Sequence, residues 1–326
     1  MRAYRLLPKT DSVTVEAYEA PQPVAAAGQV LVRMQAAGLN RGELIPAHGL
    51  AAPGAPKPAG MEGAGIVEAV GAGVTKFAPG APVMGRCAGA FAEFALMDAR
   101  EAMAKPEALS WEAAAAVPIT YAVVHDMLVA QGRIAAGEWL LVAGITSGVG
   151  VAALQVAHLY GAKVIGTSGS GAKLGRLKAL GLDLALCTRK PDFHDAVMKA
   201  TGGRGANLTV NAVGGSVFTE CVRASAYAGR IAFVGYVDGV LKAELDLDAL
   251  HVKRLRIFGV SNKIRPAPER VAGIEACAKD LLPAFADGRL KPLVDRVFDF
   301  GQLAEAKAFM DSNAHVGKIV LRIEGR

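Results

Sequence analysis

Aromatic residues and clustered basic residues are both scarce in this chain of 326 residues. Phe, Trp and Tyr make up only 6% of the sequence. The 36 Lys and Arg residues exceed the 30 acids by six, yet they are dispersed and never form a run of five. This dispersal argues against a nucleic-acid surface. The positive net charge instead fits solubility and a phosphate-bearing cofactor.

The sequence also lacks long apolar runs and grouped cysteines. No apolar run reaches the roughly 18 residues that a membrane span needs. The first eleven residues carry charges on both sides of a short apolar piece, unlike a signal peptide. The four cysteines stand far apart and form neither a CxxC motif nor a disulfide cluster: Cys87, Cys187, Cys221 and Cys277. We therefore expect a cytoplasmic protein that does not enter a membrane.

Two patterns of periodicity divide the chain. The first 118 residues are rich in glycine and alternate apolar and polar residues, which predicts a twisted, barrel-like sheet. Strands are expected there over 1–7, 13–18, 29–38, 60–71, 80–85 and 90–97. Ser110 is a predicted helix N-cap. Residues 293–298 and 317–323 are predicted strands, and 267–286 and 301–312 are predicted helices, in a tail that we expect to fold back onto the first part.

Strands and helices alternate in the middle of the chain. Strands are predicted over 138–143, 163–167, 183–187, 206–211, 229–235 and 255–260. Helices are predicted over 148–160, 171–180, 193–200 and 216–226, with a polar loop after the fifth strand. Six strands in βα alternation predict an α/β fold with a doubly wound, parallel six-stranded sheet.

The most informative segment joins the first of these strands to its helix. Between Gly144 and Gly150 the chain makes a tight turn of small residues. Such a turn leaves N–H groups free at a helix N-terminus, where they bind phosphate. Gly148 would let a pyrophosphate approach the backbone, and Gly150 would let the helix pack closely. A strict GxGxxG motif would also need glycine at Ile145 and Ser147, so a plain tight turn remains the alternative.

The segment after the second strand favours NADP(H). An acid there would accept hydrogen bonds from a free ribose 2′-hydroxyl and repel a 2′-phosphate. Residues 166–173 contain no acid, whereas Ser168 can donate a hydrogen bond and Lys173 brings a positive charge. Arg176 and Arg189 are nearby candidates. The alternative for Lys173 is a solvated surface lysine.

Several further motifs together resemble one family over essentially the whole chain. They are Ala37-Gly-Leu-Asn40-Arg41, Pro58-Ala-Gly-Met-Glu62 continuing to Gly71, Pro79–Gly85, Gly89–Glu93, the turn at 144–150, Gly288–Pro292 and Val316–Leu321. With them the chain resembles the medium-chain dehydrogenase/reductase superfamily. Within it the chain resembles the zinc-free quinone oxidoreductases, which include zeta-crystallin.

The resemblance implies an architecture. A GroES-like catalytic domain (1–118 and 264–326) would be split in sequence by a Rossmann NADP-binding domain (119–263). Such proteins are usually homodimers, and the last Rossmann strand is a suitable edge for pairing two sheets. Zinc-binding members carry Cys where this chain has Asn40 and His where it has Met61. Both replacements are poor zinc ligands, and His48 with Glu62 cannot hold zinc alone, so we expect no metal.

The resemblance also transfers roles to individual residues. Asn40 would lie beside the nicotinamide and the substrate, and Thr120 would meet the nicotinamide ribose or carboxamide; both are predicted catalytic residues. The predicted cofactor-binding residues are Thr120, Thr146, Ser147, Gly148, Val149, Gly150, Ser168, Lys173, Thr188, Val213, Phe233, Gly235, Tyr236, Ser261, Asn262 and Lys318. Asn313 is a weaker transfer. Thr188 cannot stack on adenosine as the tyrosine of many relatives does, and a pocket tyrosine is missing at His48–Ala51.

The predicted reaction is direct hydride transfer, because no nucleophile–base pair is evident and the cofactor carries the difficult step. NADPH would reduce a quinone or an α,β-unsaturated carbonyl compound, with Asn40 stabilising charge on the substrate oxygen. Tyr121, Tyr236 and His48 are minor candidates for a proton donor beside water. Asn40 could also be a helix N-cap, and Arg41 a solvated or domain-bridging charge. Two alternatives are an enoyl-thioester reductase and a catalytically weak, crystallin-like protein that binds nucleotide or nucleic acid.

Overall fold

The computed structural model describes residues 1–9, 12–44 and 55–323. The segment His48–Ala51, with its missing tyrosine, lies outside them. The chain divides into two units, one of residues 1–122 and 266–326 and one of residues 123–265. The domain boundaries predicted from sequence, at 119 and 263, lie within a few residues of these divisions.

The first unit is built mainly of strands. Its elements are β1 (Arg2–Pro8), β2 (Val13–Glu19), β3 (Gln29–Gly38), α1 (Arg41–Leu44), β4 (Lys57–Pro58), β5 (Glu62–Val70), β6 (Pro82–Ala88), β7 (Phe94–Ala104) and α2 (Trp111–Ala115). Helix α3 (Pro118–His125) contains the first junction between the units. The tail then adds α9 (Ala267–Ala286), β14 (Val294–Asp299), α10 (Leu303–Asp311) and β15 (Lys318–Arg322).

The tail completes the main sheet of the first unit. That sheet has the order β14-β15-β3-β5-β6-β7, and β3 also pairs with β7. The expectation that the tail folds back is therefore confirmed, because β15 pairs antiparallel with β3 through Val320 and Gly38. A smaller sheet has the order β2-β1-β4. Ser110 is the predicted N-cap of α2 and accepts a hydrogen bond from the Ala113 N–H.

The second unit alternates strands and helices as predicted. Its elements are β8 (Trp139–Ala143), α4 (Gly148–Leu159), β9 (Lys163–Ser168), α5 (Gly171–Lys178), β10 (Leu184–Cys187), α6 (His194–Ala200), β11 (Ala206–Asn211), α7 (Phe218–Arg223), β12 (Ser225–Phe233), α8 (Leu247–Val252) and β13 (Arg256–Gly259). The sheet has the order β10-β9-β8-β11-β12-β13 and every pair is parallel. The order reverses between β8 and β11, which makes this a doubly wound fold.

Several elements differ from the sequence prediction. Strand β7 spans Phe94–Ala104 where 90–97 was predicted, and β12 begins at Ser225 where 229 was predicted. The helix predicted over 216–226 ends at Arg223, because Ser225 already pairs with Ala206 at the start of β12. The Ala206 N–H donates to Ala224 O at 2.8 Å, so the sheet takes the residues that helical periodicity assigned to α7. The polar loop predicted after β12 contains the short helix α8, which Asp246 caps.

Within the described ranges, no helix combines the length and apolar character that a membrane crossing requires.

Candidate functional site

The turn between β8 and α4 is shaped by a close approach of backbone to backbone. A Cβ at Gly150 would lie 2.5 Å from Ile145 O and 2.7 Å from Gly144 O, closer than real Cβ contacts come. Gly144 adopts a φ of 86°, in the left-handed region that glycine tolerates. Ser147 fixes the helix start, since its Oγ accepts from the Gly150 N–H and donates to Gly144 O. The predicted tight packing of strand against helix is thus present.

Backbone N–H groups remain available at this turn. No hydrogen bond between described residues uses the N–H of Thr146, Gly148 or Val149. All three residues are partly exposed. Helix α4 is 12 residues long, and its N-terminal dipole adds attraction for an anion. This arrangement fits a phosphate or pyrophosphate group.

The absence of a side chain at Gly166, in β9, leaves room for Ile145 of the turn. A Cβ at Gly166 would lie 2.7 Å from the side chain of Ile145, which is completely buried. Ile145 therefore fills the space over β9 and anchors the turn. Sequence reasoning used residue 166 only as the start of a segment without acids, and so missed this packing role.

Polar and basic side chains surround the carboxyl end of β9. Thr146 Oγ1 and Ser168 Oγ lie 3.4 Å apart, and Ser170 caps α5. Arg189 lies across Gly169, where a Cβ would be 2.0 Å from Arg189 Nε. Arg189 is exposed and forms no ion pair with the described part of the chain. Sequence reasoning named Arg189 only as a neighbour, because nothing in the sequence shows that its side chain lies over β9.

The other predicted residues of the second unit lie at the same edge of the sheet, since the carboxyl ends of parallel strands meet there. Asn211, at the end of β11, accepts from the Val213 and Gly214 N–H groups and so forms the next turn. Thr188 follows β10, and its hydroxyl donates a hydrogen bond to the Asp192 carboxylate. The remaining predicted residues lie at the end of β12 or after β12 and β13: Phe233, Gly235, Tyr236, Ser261 and Asn262. Their cofactor roles remain predictions.

One functional candidate at this edge was not recognised from sequence. Asp238 accepts hydrogen bonds from both the backbone N–H and the hydroxyl of Ser216, and from the Val240 N–H. Its carboxylate also lies against Gly214, where a Cβ would be 1.9 Å from Asp238 Oδ1. Asp238 thereby ties the segment after β12 to the turn after β11. An isolated acid in a polar loop carries no sequence signal for such a tie.

A buried polar cluster forms the second candidate site, in the first unit. Lys318 Nζ donates to Glu62 Oε1 at 2.7 Å, to Asn40 Oδ1 at 3.0 Å and to Leu39 O at 2.8 Å. Asn40 Nδ2 donates to the same Glu62 Oε1 at 2.8 Å. Glu62 Oε2 accepts from the Ile119 N–H at 2.7 Å. Glu62 is fully buried and Lys318 is 7% exposed, whereas Asn40 is partly exposed.

Asn40, Arg41 and Lys318 all form hydrogen bonds within the first unit. The Asn40 side chain bonds to Glu62 and Lys318, and its alternative role as the N-cap of α1 stays a prediction. Arg41 is partly exposed and donates to Met310 O and Asn313 Oδ1 within the first unit. The Lys318 ammonium donates three hydrogen bonds within the cluster. Its contact with a cofactor stays a prediction. Thr120 lies buried in α3, in the same unit.

Glu43 adds a second carboxyl group to this region. It is fully enclosed; Oε2 accepts from the Gly60 N–H, and Oε1 has no hydrogen-bond partner among the described residues. Burial, reinforced by the negative charge of Glu62, raises the pKa of Glu43 to about 8, although the Gly60 bond and Lys318 oppose the rise. Glu43 is therefore a neutral acid near pH 7. The cluster then holds one cation, one anion and one neutral acid.

Tyr121 is poorly suited to donate a proton. It is 2% exposed and packs edge-on against Phe285, with ring centroids 4.8 Å apart. Burial raises the pKa of its hydroxyl well above the ordinary value. Tyr236 is partly exposed, and His48 lies outside the described residues. In the described ranges, no three His, Cys, Asp or Glu side chains come together in a group that could hold a metal ion.

Comparisons with known proteins agree with this architecture. Residues 26–107 match the model of the alcohol dehydrogenase GroES-like domain, and residues 148–269 match the model of zinc-binding dehydrogenases. The crystal structure of an NAD-dependent alcohol dehydrogenase is 31% identical, with a TM-score of 0.84, and covers 99% of this chain and 100% of that one. A mycobacterial quinone oxidoreductase is 25% identical, with a TM-score of 0.86 and 99% of both chains covered.

A polyketide synthase supplies a similar segment. The pikromycin polyketide synthase component PikAII of Streptomyces venezuelae is 34% identical over 306 residues. These are 93% of this chain and only 8% of that protein. The chain thus corresponds to a small part of the curated relatives it matches. On this evidence the chain belongs to the medium-chain dehydrogenase/reductase family and is an oxidoreductase.

Proposed function

We propose that the protein is a zinc-independent, NADPH-dependent reductase of a carbon–carbon double bond conjugated to a carbonyl group, as in quinones and enones. The observation that carries the proposal is the turn at Gly144–Gly150, whose free amides and absent Cβ atoms fit a dinucleotide pyrophosphate. The similarity to dehydrogenases, one of them NAD-dependent, supports an oxidoreductase that uses a nicotinamide cofactor.

The chemistry needs little from the protein beyond positioning and one hydrogen-bond donor. When bound, NADPH supplies the hydride, which the β-carbon of the substrate accepts. The electron pair of the double bond then moves toward the carbonyl, whose oxygen gains negative charge, and water supplies a proton to the α-carbon. Asn40, whose amide is partly exposed, is the proposed donor to this oxygen. Asn40 and Met61 are poor zinc ligands, so we propose no metal here. The ammonium of Lys318 balances the negative charge of Glu62 instead.

The choice of NADPH over NADH rests on the end of β9. Residues 166–173 bring no acid that would repel a 2′-phosphate, and Arg189 lies over Gly169 at this point. NADPH is therefore expected to bind at least tenfold more tightly than NADH. Lys173→Ala and Arg189→Ala should each remove part of the difference, because a charge-assisted hydrogen bond contributes about 1.5–3 kcal/mol. Calorimetric titration of each protein with both nucleotides measures this.

Arg223→Ala is the matched control for a lost arginine, because Arg223 pairs with Glu220 away from this strand end. It should leave both affinities unchanged. Equal affinity of the unmodified protein for the two nucleotides would refute the NADP assignment.

The substrate class is tested by NADPH consumption with a panel of quinones, enones and enoyl-thioesters, in the presence of a metal chelator. Turnover of quinones or simple enones supports the proposal. Turnover of thioesters alone supports the second candidate, an enoyl-thioester reductase, which the similarity to a polyketide synthase favours because polyketide chains are carried as thioesters. NADPH binding without turnover would favour a binding protein that has lost catalysis.

We also propose a homodimer formed through the edge strand β13. This strand ends the sheet and pairs only with β12 among the described strands. Ile257 is exposed on this strand, and Leu247 and Val252 are exposed on α8, which directly precedes it in the chain. A second copy pairing along β13 would cover these side chains and satisfy the open strand edge. The mass in solution, measured by light scattering, distinguishes the dimer from a monomer.

A further inference from the structure

The ion pair of Glu62 and Lys318, buried in the first unit, fixes the orientation of the neighbouring Asn40 side chain. Asn40 contacts both members of the pair, with its Oδ1 against the Lys318 ammonium and its Nδ2 against the Glu62 carboxylate. Rotating the amide by 180° would set an NH2 group against the ammonium and an oxygen against the carboxylate. Both contacts would become repulsive, so the pair allows only one orientation of the Asn40 amide.

From this geometry we propose that Glu62 and Lys318 are positioning residues, which orient and polarise the Asn40 amide so that its second N–H can donate to a substrate oxygen. The inference rests on the proposed function, because it assigns Asn40 the role of donor. Lys318 thereby acts inside the first unit and not as a contact to the cofactor.

The hydrogen-bond count supports this role. One Nδ2 proton goes to Glu62 Oε1 at 2.8 Å; for the other, the described residues offer only Gly38 O, at 3.5 Å, the limit for a hydrogen bond. A ligand oxygen at normal distance would replace that weak contact. The ammonium beside Oδ1 draws electron density toward the amide oxygen and makes the N–H a stronger donor, as in other polarised hydrogen-bond chains.

The burial of the pair argues that its role goes beyond stability. Glu62 is fully buried and Lys318 nearly so, and burying two charges costs about as much as their attraction returns. The strand that carries Lys318 also carries Arg322, whose pair with Glu112 is partly exposed, at 46% for Arg322 and 21% for Glu112. Exposed pairs of that kind contribute little. Strand β15 thus contributes to two ion pairs. The buried pair of Lys318 and Glu62 contacts Asn40, whereas the more exposed pair of Arg322 and Glu112 serves as a control.

A mutant cycle on the full chain tests the proposal. Asn40→Ala should lower kcat about 100-fold, as removal of an oxyanion donor does. Glu62→Gln combined with Lys318→Met removes both charges, so that no buried charge is left alone, and should lower kcat by a similar factor. The affinity for NADPH should stay within twofold. Adding Asn40→Ala to that double variant should cause no further loss, because the pair acts through Asn40.

The control removes the exposed pair of the same strand, with Glu112→Gln and Arg322→Met. This variant should keep wild-type kcat. A merely structural role of Glu62 and Lys318 would instead give losses that multiply with that of Asn40→Ala, and would overturn the proposal. If the double variant does not fold, Glu62→Gln alone, which preserves shape, takes its place in the cycle with the same expectations.

A second readout does not depend on turnover. In protein labelled with 15N-asparagine, the Asn40 side-chain amide is assigned by its loss in Asn40→Ala. Its two protons should have well-separated shifts and slow hydrogen exchange in the wild type, and should approach solvent-exposed values in the double variant. An unchanged amide signal would overturn the inference. Absence of turnover in the wild type together with a changed signal would refute the proposed function alone.

Discussion

Replacing Gly150 with alanine is expected to abolish NADPH binding and to destabilise the second unit. The added Cβ would lie 2.5 Å from Ile145 O, so α4 must move away from the turn. Moving the helix start withdraws the Gly148 and Val149 amides from the phosphate. Two charge-assisted bonds of about 1.5–3 kcal/mol each would then be lost, and the Kd for NADPH should rise about 100-fold or more. Overpacking should lower the free energy of unfolding by about 1–3 kcal/mol.

Gly175→Ala provides the matched control. Gly175 lies in α5, is exposed and has open space where its Cβ would be. Alanine there should stabilise the helix by about 0.5–1 kcal/mol and leave NADPH affinity unchanged. Titration of the three proteins, with urea unfolding of each, gives both quantities. A Gly150→Ala protein that binds NADPH like the wild type would refute the assignment of the turn.

The parallel sheet could be predicted because local patterns determine it. Strands β8, β9 and β11 are short apolar runs that each end before a glycine- or serine-rich turn, and these signals need no distant partner. The end of α7 could not be predicted in this way. Helical periodicity continues past Arg223, but a backbone bond from Ala206 to Ala224, far away in sequence, starts the next strand.

Some residues of the candidate site could likewise be predicted from the sequence, whereas others could not. The Gly144–Gly150 turn, Ser168 and Lys173 follow from contiguous sequence and from the resemblance. The contact of Arg189 with Gly169 depends on which two strands are neighbours, and Asp238 reaches Ser216 across 22 residues. Such contacts exist only after the sheet has formed. Sequence reasoning could name Arg189 as a candidate, but it could not place the side chain.

The cluster around Asn40 shows a further limit. Asn40, Glu62 and Lys318 each belonged to a recognisable motif, yet motifs separated by hundreds of residues do not reveal that three side chains share hydrogen bonds. Glu43 carried no signal, because a glutamate in a short helix is usually solvated. Only its enclosure, with one oxygen unpartnered among the described residues, distinguishes it.

The enclosed Glu43 should make the stability of the protein fall as pH rises. An unfolded glutamate has a pKa near 4.5, whereas burial raises the pKa of Glu43 to about 8 in the folded protein. Between these values the unfolded chain releases the proton and the folded chain keeps it. The contribution is thus complete below about pH 4.5 and is lost as pH rises toward 8, at up to about 1.4 kcal/mol per pH unit.

Glu43→Gln should remove this slope, because glutamine keeps an oxygen for the Gly60 N–H and cannot ionise. Urea unfolding of the wild type and the variant at pH 5.5, 6.5 and 7.5 should give a difference that grows with pH in favour of the variant. Glu107→Gln, which removes an exposed carboxylate of the same unit, controls for the lost charge. A difference that stays constant with pH, or one that Glu107→Gln reproduces, would mean that Glu43 is ionised in the folded protein. The cluster would then hold two anions against the single ammonium of Lys318.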